Sequence, residues 1–322
     1  MVPILSASLV KAAARRHGFD ACGLAEAAPV DARRQADVAR WLADGRHASM
    51  DYLARHAALR ADPRRVVPGA RTVVSLALNY YPACRPQAFD FAAYAYGRDY
   101  HDVVRARLRS LLAELASGAG LAPGELGRGF CDTGPVDERY WAVRCGLGWW
   151  GRNAQLIIPG CGSYFFLSEL ILTLPADSYD SPVPDGCGPC RACLSACPTG
   201  ALDPGCGLDA RRCLSYLTIE NRGSLPPGAG EAMGRCLYGC DRCQQACPHN
   251  CHAAPTAVPD FRPSADFLAM TPEAWSRLTP DAYRRLFRGS AVKRAKFDGL
   301  RRNIDAVLAA RGFGEAGATQ SE

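Results

Sequence analysis

Residues 187–201 read CGPCRACLSACPTGA, and this run decides the fold of the segment around it. Cys187, Cys190, Cys193 and Cys197 follow C-x2-C-x2-C-x3-C, with Pro198 next. Three thiols at steps of three wrap a four-iron cube, whereas a zinc ribbon uses well-separated pairs whose turns meet at one tetrahedral ion. Where two such cubes share a chain, the fourth cysteine of one run ligates the other cube, so a reciprocal run is required. It exists in degenerate form at 236–250, CLYGCDRCQQACPHN, where Cys240, Cys243 and Cys247 repeat the ending and Leu237 fills the missing first slot. One 4Fe-4S cluster is therefore expected on Cys187, Cys190, Cys193 and, by exchange, Cys247. The other has Cys197, Cys240 and Cys243 and needs a fourth thiolate, for which Cys206, Cys213 and Cys236 are available.

Working outward, eleven of the 16 cysteines in this 322-residue chain lie between Cys187 and Cys251. No apolar stretch approaches the length of a membrane span, and the start, MVPILSASLVKAAARRHGFD, lacks the apolar core and cleavage site of a secretory signal. A cytoplasmic, reducing location is expected, where clustered cysteines are metal ligands rather than disulfides. The 48% hydrophobic content excludes a disordered or collagenous chain. The net charge of +6 comes almost wholly from arginine, since Lys11, Lys293 and Lys296 are the only lysines. That balance permits a nucleic-acid partner without arguing strongly for one.

Residues 1–180 read as an α/β domain. LVKAAARRHGF, VARWLADG and YHDVVRARLRSLLAELA carry helical spacing, while TVVSLALNY (72–80) and SYFFLSELILTL (163–174) read as buried strands. PADSYDSPVPDG (175–186) reads as a linker to the cysteine module, 181–254. Residues 255–322 read as polar helices ending in a flexible tail, EAGATQSE.

Gly146, Gly148 and Gly151 formally satisfy G-x-G-x-x-G, but a helix is predicted before them (135–145) and a strand after (154–158), the reverse of a dinucleotide site. The alternative is a turn that brings backbone close to another surface. Asp132, in GFCDTGP, stands where a strand breaks at a Gly-Pro turn and either faces a cleft or caps the next helix. Asp99 and His101, in YGRDYH, lie in a polar turn before a helix, where Asp99 reads as a cap. The six histidines show no metal-ligand spacing.

Taken together, CGPCRACLSACPTGAL, DARRCLSYLTIENRGS (209–224), LYGCDRCQQACPHN, RADPRRVVPGA (60–70), ALNYYP (77–82), CDTGP (131–135), GLGWWGRN (146–153), GSYFFL (162–167) and RGSAVKRAKFDGLRRN (288–303) resemble the epoxyqueuosine reductase family. The resemblance implies an α/β (α+β) cobalamin-binding domain of reductive dehalogenase and nitroreductase type, a double 4Fe-4S ferredoxin-like module and a helical C-terminal segment. It implies Cys213 as the missing ligand, Asp132 as proton donor and a cobalamin held base-off. Asp99, His101, Asn153, Ser163 and Asp241 are the expected corrin contacts. Three departures stand out. His249 replaces the usual Trp and Arg152 the usual Lys, neither expected to touch a cluster ligand, and the chain stops soon after RRN without the helical-repeat extension many members carry.

The implied reaction reduces epoxyqueuosine to queuosine in the anticodon loop of a tRNA with a GUN anticodon, drawing on a low-potential cellular electron donor. A monomer with no membrane partner is expected. Asp132 would donate near neutrality only if burial raised its pKa. The stretch from Arg284 to Arg302, with eight basic residues and one acid, Asp298, is the expected RNA contact, weighed against a solvated helix face. The competing readings are a corrinoid reductase of a small molecule and a non-catalytic electron carrier.

Overall fold

The computed structural model describes residues 3–203 and 207–312; Cys206 and the tail EAGATQSE lie outside the described residues. Four strands, β1 (Ala21–Glu26), β2 (Thr72–Asn79), β3 (Gly127–Phe130) and β4 (Phe165–Leu172), form a sheet in the order β1-β2-β4-β3 with every neighbour antiparallel. The two long apolar runs of the sequence thus pair with each other, from Thr72 opposite Leu172 to Asn79 opposite Phe165.

Alternation along a strand sends successive side chains to opposite faces. Val74, Leu76, Leu78, Leu170 and Leu172 share a core with α1 (Ala7–Arg16) and α2 (Tyr100–Gly118). Val73, Ala77 and Ile171 share a second core with Tyr140 and Trp141 of α3 (Glu138–Arg144). Helices therefore cover both faces of an antiparallel sheet, which makes the domain α+β in detail.

The glycine turn after α3 is used for close approach. A Cβ on Gly148 would stand 2.0 Å from the Ile157 carbonyl oxygen, so only glycine allows the hairpin that pairs Trp149–Trp150 with Leu156–Ile157. The stretch 175–186 forms no helix or strand, yet it is tied down: Asp180 accepts from Lys11 Nζ at 2.6 Å and from the Leu24 amide at 2.9 Å.

In the cysteine module, α4 (Ala192–Ser195), α5 (Leu214–Ile219) and α6 (Arg242–Gln245) are short turns of helix beside the thiols. The segment from Pro255 differs from its reading as polar helices. Phe261, Phe267, Trp275, Tyr283 and Phe287 are all buried, and Phe267, Trp275 and Phe287 pack around Phe91 at ring distances of 5.0, 5.2 and 6.0 Å. These aromatics are irregularly spaced among polar and charged residues, so no apolar period announces them. The last helix, α7 (Lys296–Ala310), buries Leu300, Ile304 and Val307 in the core shared with α2. Its buried Asn303 donates to the carbonyls of Thr218 at 2.8 Å and Leu237 at 2.9 Å, fastening the cysteine module to the C-terminal segment. Among the described residues no helix is long and apolar enough to cross a membrane.

Because Trp275 is 1% exposed at the centre of this aromatic cluster, Trp275→Ala is expected to cost about 3–5 kcal/mol. Equilibrium denaturation of the whole chain checks this; an unchanged midpoint would mean the C-terminal segment adds nothing to the core.

Candidate active site and thiol sets

Cys187, Cys190, Cys193 and Cys247 line one cavity with Arg152, Asn153 and His249. Burial raises the Cys193 thiol, and Cys247, Cys187 and Cys190 add to the rise as negative neighbours. Asn153 is buried in this wall, and its Nδ2 has no hydrogen-bond partner. A buried donor left over beside four thiols fits an acceptor filling the cavity, such as the sulfide and thiolate sulfurs of a cubane. Trp149 Nε1 already donates to Cys187 Sγ at 3.4 Å. The two family departures line this cavity as well, and Arg152 does reach a residue of the set, through its carbonyl. Arg152 donates to the Cys190 carbonyl at 2.6 Å, and His249 contacts the Gly186 carbonyl at 3.1 Å and the Trp149 ring edge-on at 4.9 Å.

The second set gathers Cys197, Cys213, Cys240 and Cys243. Burial raises Cys213, with Cys240 and Cys197 as further raising neighbours; burial raises Cys243, with Cys240, Cys213 and Cys197 among its neighbours. Cys213 arrives because it is the N-cap of α5. Cys236 lies close to Cys240, and its thiol is directed at the Gly239 carbonyl at 2.6 Å. Among the described residues no three His, Cys, Asp or Glu groups come together as one metal ion requires; the first thiol set borders a shared cavity instead.

Asp132 leaves β3 in an unusual backbone state. Its φ is +58°, and the Thr133 amide donates to the Cys131 carbonyl at 2.7 Å across it, closing a three-residue γ-turn. Its carboxylate Oδ2 accepts from Tyr100 OH at 2.9 Å and from His101 Nε2 at 3.0 Å. His101 Nδ1 meets Asp99 Oδ1 at 2.7 Å, and Lys293 Nζ meets Asp99 Oδ2 at 3.0 Å. The order is set by α2: Asp99 is its N-cap, Tyr100 and His101 open it, and the Tyr100 ring stacks on Phe166 of β4 at 4.3 Å.

An imidazole whose two nitrogens both face carboxylates must donate from both, so His101 is an imidazolium. Burial works against that charge, but the hydrogen bonds to Asp132 and Asp99 outweigh it and push its pKa up to about 9. Asp99 is likewise opposed by burial, yet His101 and Lys293 hold it well below the usual carboxylate range. For Asp132 the condition for donating near neutrality, a pKa raised by burial, is not met. Burial pulls it upward, but the bonds from His101 and Tyr100 prevail and its pKa is lowered. The proton of this group therefore resides on His101, hydrogen-bonded to the half-exposed carboxylate of Asp132.

Asp99, His101 and Asp132 are thus brought together, whereas the other sequence candidates lie elsewhere. Asn153 borders the first thiol cavity. Ser163 is buried: its amide donates to Asn250 Oδ1 at 2.7 Å, and its Oγ accepts from Asn250 Nδ2 at 3.0 Å and Gln244 Nε2 at 3.2 Å. Asp241 is buried, accepts the Ala93 amide at 2.7 Å, and is pushed by burial up to about 6. Two residues escaped the sequence reading. Tyr100 stood inside YGRDYH unassigned, and Glu138, whose Oε1 accepts the Asp132 amide at 2.5 Å, carried no signal beyond being the second acid of PVDE. The basic stretch is also partly committed to structure. Arg294 pairs with Glu220 at 2.7 Å, Arg302 donates to the carbonyls of Leu217, Asn221 and Gly223, and Arg301 pairs with Asp305 at 2.5 Å. Arg285, Arg288 and Lys296 remain exposed on this segment.

An α+β domain that holds a hydrogen-bonded histidine–carboxylate group and is joined to paired four-cysteine sets defines the class of iron–sulfur oxidoreductases. Residues 60–133 match the family model described as epoxyqueuosine reductase QueG, DUF1730, and residues 186–250 match the 4Fe-4S double cluster binding domain. The epoxyqueuosine reductase of Leadbetterella byssophila is 41% identical over 297 residues, covering 92% of this chain and 96% of that one. That of Escherichia coli is 38% identical over 284 residues, covering 83% of this chain and 72% of its own. The crystal structure of an epoxyqueuosine reductase with an epoxyqueuosine-modified tRNA-Tyr stem loop superposes with a TM-score of 0.85 at 28% identity, over 94% of this chain and 80% of that one. The Bacillus subtilis enzyme, solved with its catalytic aspartate loop swung out of the active site, matches with a TM-score of 0.83 at 28% identity, over 94% and 81%. The chain belongs to the epoxyqueuosine reductase family.

His101 provides a direct check. Its ring is expected to titrate by NMR at about 9, staying cationic through neutrality and losing its charge as pH rises through that value. Asp132→Asn removes one of the two anions that stabilise the cation, so the titration should move downward; an unshifted curve would separate His101 from Asp132.

Proposed function

We propose that this protein reduces epoxyqueuosine in a tRNA anticodon loop to queuosine. The observation that carries the reading is the Asp99–His101–Asp132 chain, an acid kept loaded at neutral pH, held on the same body as two four-cysteine sets. The relative solved with a modified stem loop supports tRNA as the substrate. Removing the epoxide oxygen as water and leaving an alkene consumes two electrons and two protons, so the site must supply both.

In this reading Cys187, Cys190, Cys193 and Cys247 hold one 4Fe-4S cluster and Cys197, Cys213, Cys240 and Cys243 the other, the pair supplying single electrons at low potential. The family resemblance adds a base-off cobalamin, and one feature of the Asp132 site fits it. Both nitrogens of His101 are taken by carboxylates, so this histidine leaves no imidazole to ligate a cobalt from the protein side. When bound, the corrin supplies a strongly reducing metal centre for carbon–oxygen cleavage. Asn153 keeps its free donor for the first thiol cavity, while Ser163 and Asp241 act through the loops they fix.

The chain's own residues handle the protons. As the carbon–oxygen bond lengthens, negative charge grows on oxygen, and Asp132 passes it the proton that His101 holds. A positioned acid contributes about 10²–10⁴-fold. Asp99 and Lys293 keep the imidazole ring oriented for reloading from solvent. The exposed Arg285, Arg288 and Lys296 are available for backbone phosphates of the RNA. We place the protein in the cytoplasm as a monomer served by a low-potential electron donor.

The deciding experiment incubates reduced, cofactor-reconstituted protein with a stem loop bearing epoxyqueuosine and reads nucleosides by mass spectrometry. Queuosine should appear, and should be lost in Asp132→Asn with cofactor content unchanged; unaltered epoxyqueuosine with intact cofactors counts against the reading. The ligand assignment gives a separate number: about eight iron atoms per chain, falling to about four or fewer in Cys213→Ser. Full iron in that variant would remove Cys213 from the set.

A further inference from the structure

Two acids beside the Asp132 turn take no part in the proton chain. Glu169 lies on β4 opposite Ser75 of β2 and Phe130 of β3 and is 0% exposed. Its Oε1 accepts from Ser75 Oγ at 3.3 Å, and its Oε2 has no partner. Glu138 opens α3, and its Oε1 accepts the backbone amide of Asp132 at 2.5 Å.

That amide belongs to a strained turn. A γ-turn with positive φ is rare for a residue bearing a Cβ and persists where the surroundings over-determine it. The Thr133-to-Cys131 bond lies inside the turn and cannot anchor it to the protein. Tyr100 and His101 hold the Asp132 side chain but not its backbone. Arg105 bonds the Thr133 hydroxyl, and Glu138 is the group that grips the Asp132 main chain itself.

We propose that Glu138 is the positioning residue of the Asp132 turn, accepting the Asp132 amide and holding the strained backbone that aims the Asp132 carboxylate at His101 and Tyr100. The proposal rests on the reading of Asp132 as the acid of the reaction. The charged groups around Glu138 are Asp132 from the turn, Glu169 from β4, Arg139 beside it on α3 and Arg60 from the helical turn Ala57–Arg60. Burial, then the Asp132 charge, pushes Glu138 up to about 7. Burial, then Glu138 and Asp137, push Glu169 well above the usual carboxylate value. Charged or neutral, Glu138 keeps an oxygen for the amide. Its reach, rather than its charge, is the restraint.

Two isolated changes separate reach from charge. Glu138→Gln keeps the length and an acceptor oxygen without the charge; Glu138→Asp keeps the charge but is one methylene short. Hydrogen exchange at the Asp132 amide and turnover of the epoxyqueuosine stem loop are measured on the reconstituted full chain. Glu138→Gln should keep the amide protected and turnover within about threefold, while Glu138→Asp should speed exchange and lower kcat about tenfold or more with KM little changed. Wild-type exchange in Glu138→Asp, or equal losses in both variants, overturns the positioning role. Full turnover in Asp132→Asn instead removes the reading beneath it, and the two failures are distinguishable because amide exchange does not depend on turnover.

Discussion

The two central strands are buried on both faces, and this constraint decides where everything else can stand. β2 shows seven buried residues in succession, Thr72 to Leu78, so no edge of that strand is left for water and helices must close both sides. With the faces taken, chemistry is confined to one end of the strand pair, around Asn79–Tyr80 and Ser163–Phe166. Three independent parts of the chain meet there. α2 delivers Tyr100 onto Phe166, β3 ends into the Asp132 turn, and α6 reaches in with Gln244, which donates to Tyr80 OH at 3.3 Å and the Ser163 carbonyl at 3.0 Å. The aromatic series Tyr80, Phe166 and Tyr100, with ring distances of 4.5 and 4.3 Å, runs from Gln244 to Asp132.

Charge at that end is arranged by alternation. Lys293, Asp99, His101 and Asp132 run cation, anion, cation, anion, and each link is a hydrogen bond of 3.0 Å or less. Such a row lowers the carboxylates and raises the imidazole together, because every member is flanked by its opposite. An isolated aspartate with a raised pKa would be a poor nucleus for folding a turn; a histidine that carries the proton for it leaves the aspartate charged and firmly bonded. The acid strength is therefore a property of the row and not of Asp132.

How much of this was legible in the sequence follows from the range of each interaction. The cysteine runs were readable because a cubane needs three ligands within a few residues, so chain spacing and metal geometry are nearly the same fact. The choice among Cys206, Cys213 and Cys236 was not readable from spacing, since it depends on α5 placing its N-cap against residues more than two dozen positions downstream. Asp132 was visible as an acid at a strand end, but its ionisation depends on a histidine 31 residues earlier in the chain. Glu138 was invisible for another reason: its carboxylate serves a backbone amide, and backbone partners leave no trace in residue type. The aromatic core beyond Pro255 was missed because its members are spaced irregularly among arginines, and burial there comes from several short helices converging rather than from one periodic face.

The exchanged fourth cysteines have a topological consequence. The first thiol set runs from Cys187 to Cys247, and every member of the second, from Cys197 to Cys243, lies within that span. Closing the outer set encloses the inner one as a loop within a loop, so whichever forms first shortens the chain that the other must close and lowers its entropic cost. Occupancy of the two is thereby cooperative through the polypeptide alone. For the two proposed clusters, filling one set therefore favours filling the other, and half-filled molecules are disfavoured without being excluded.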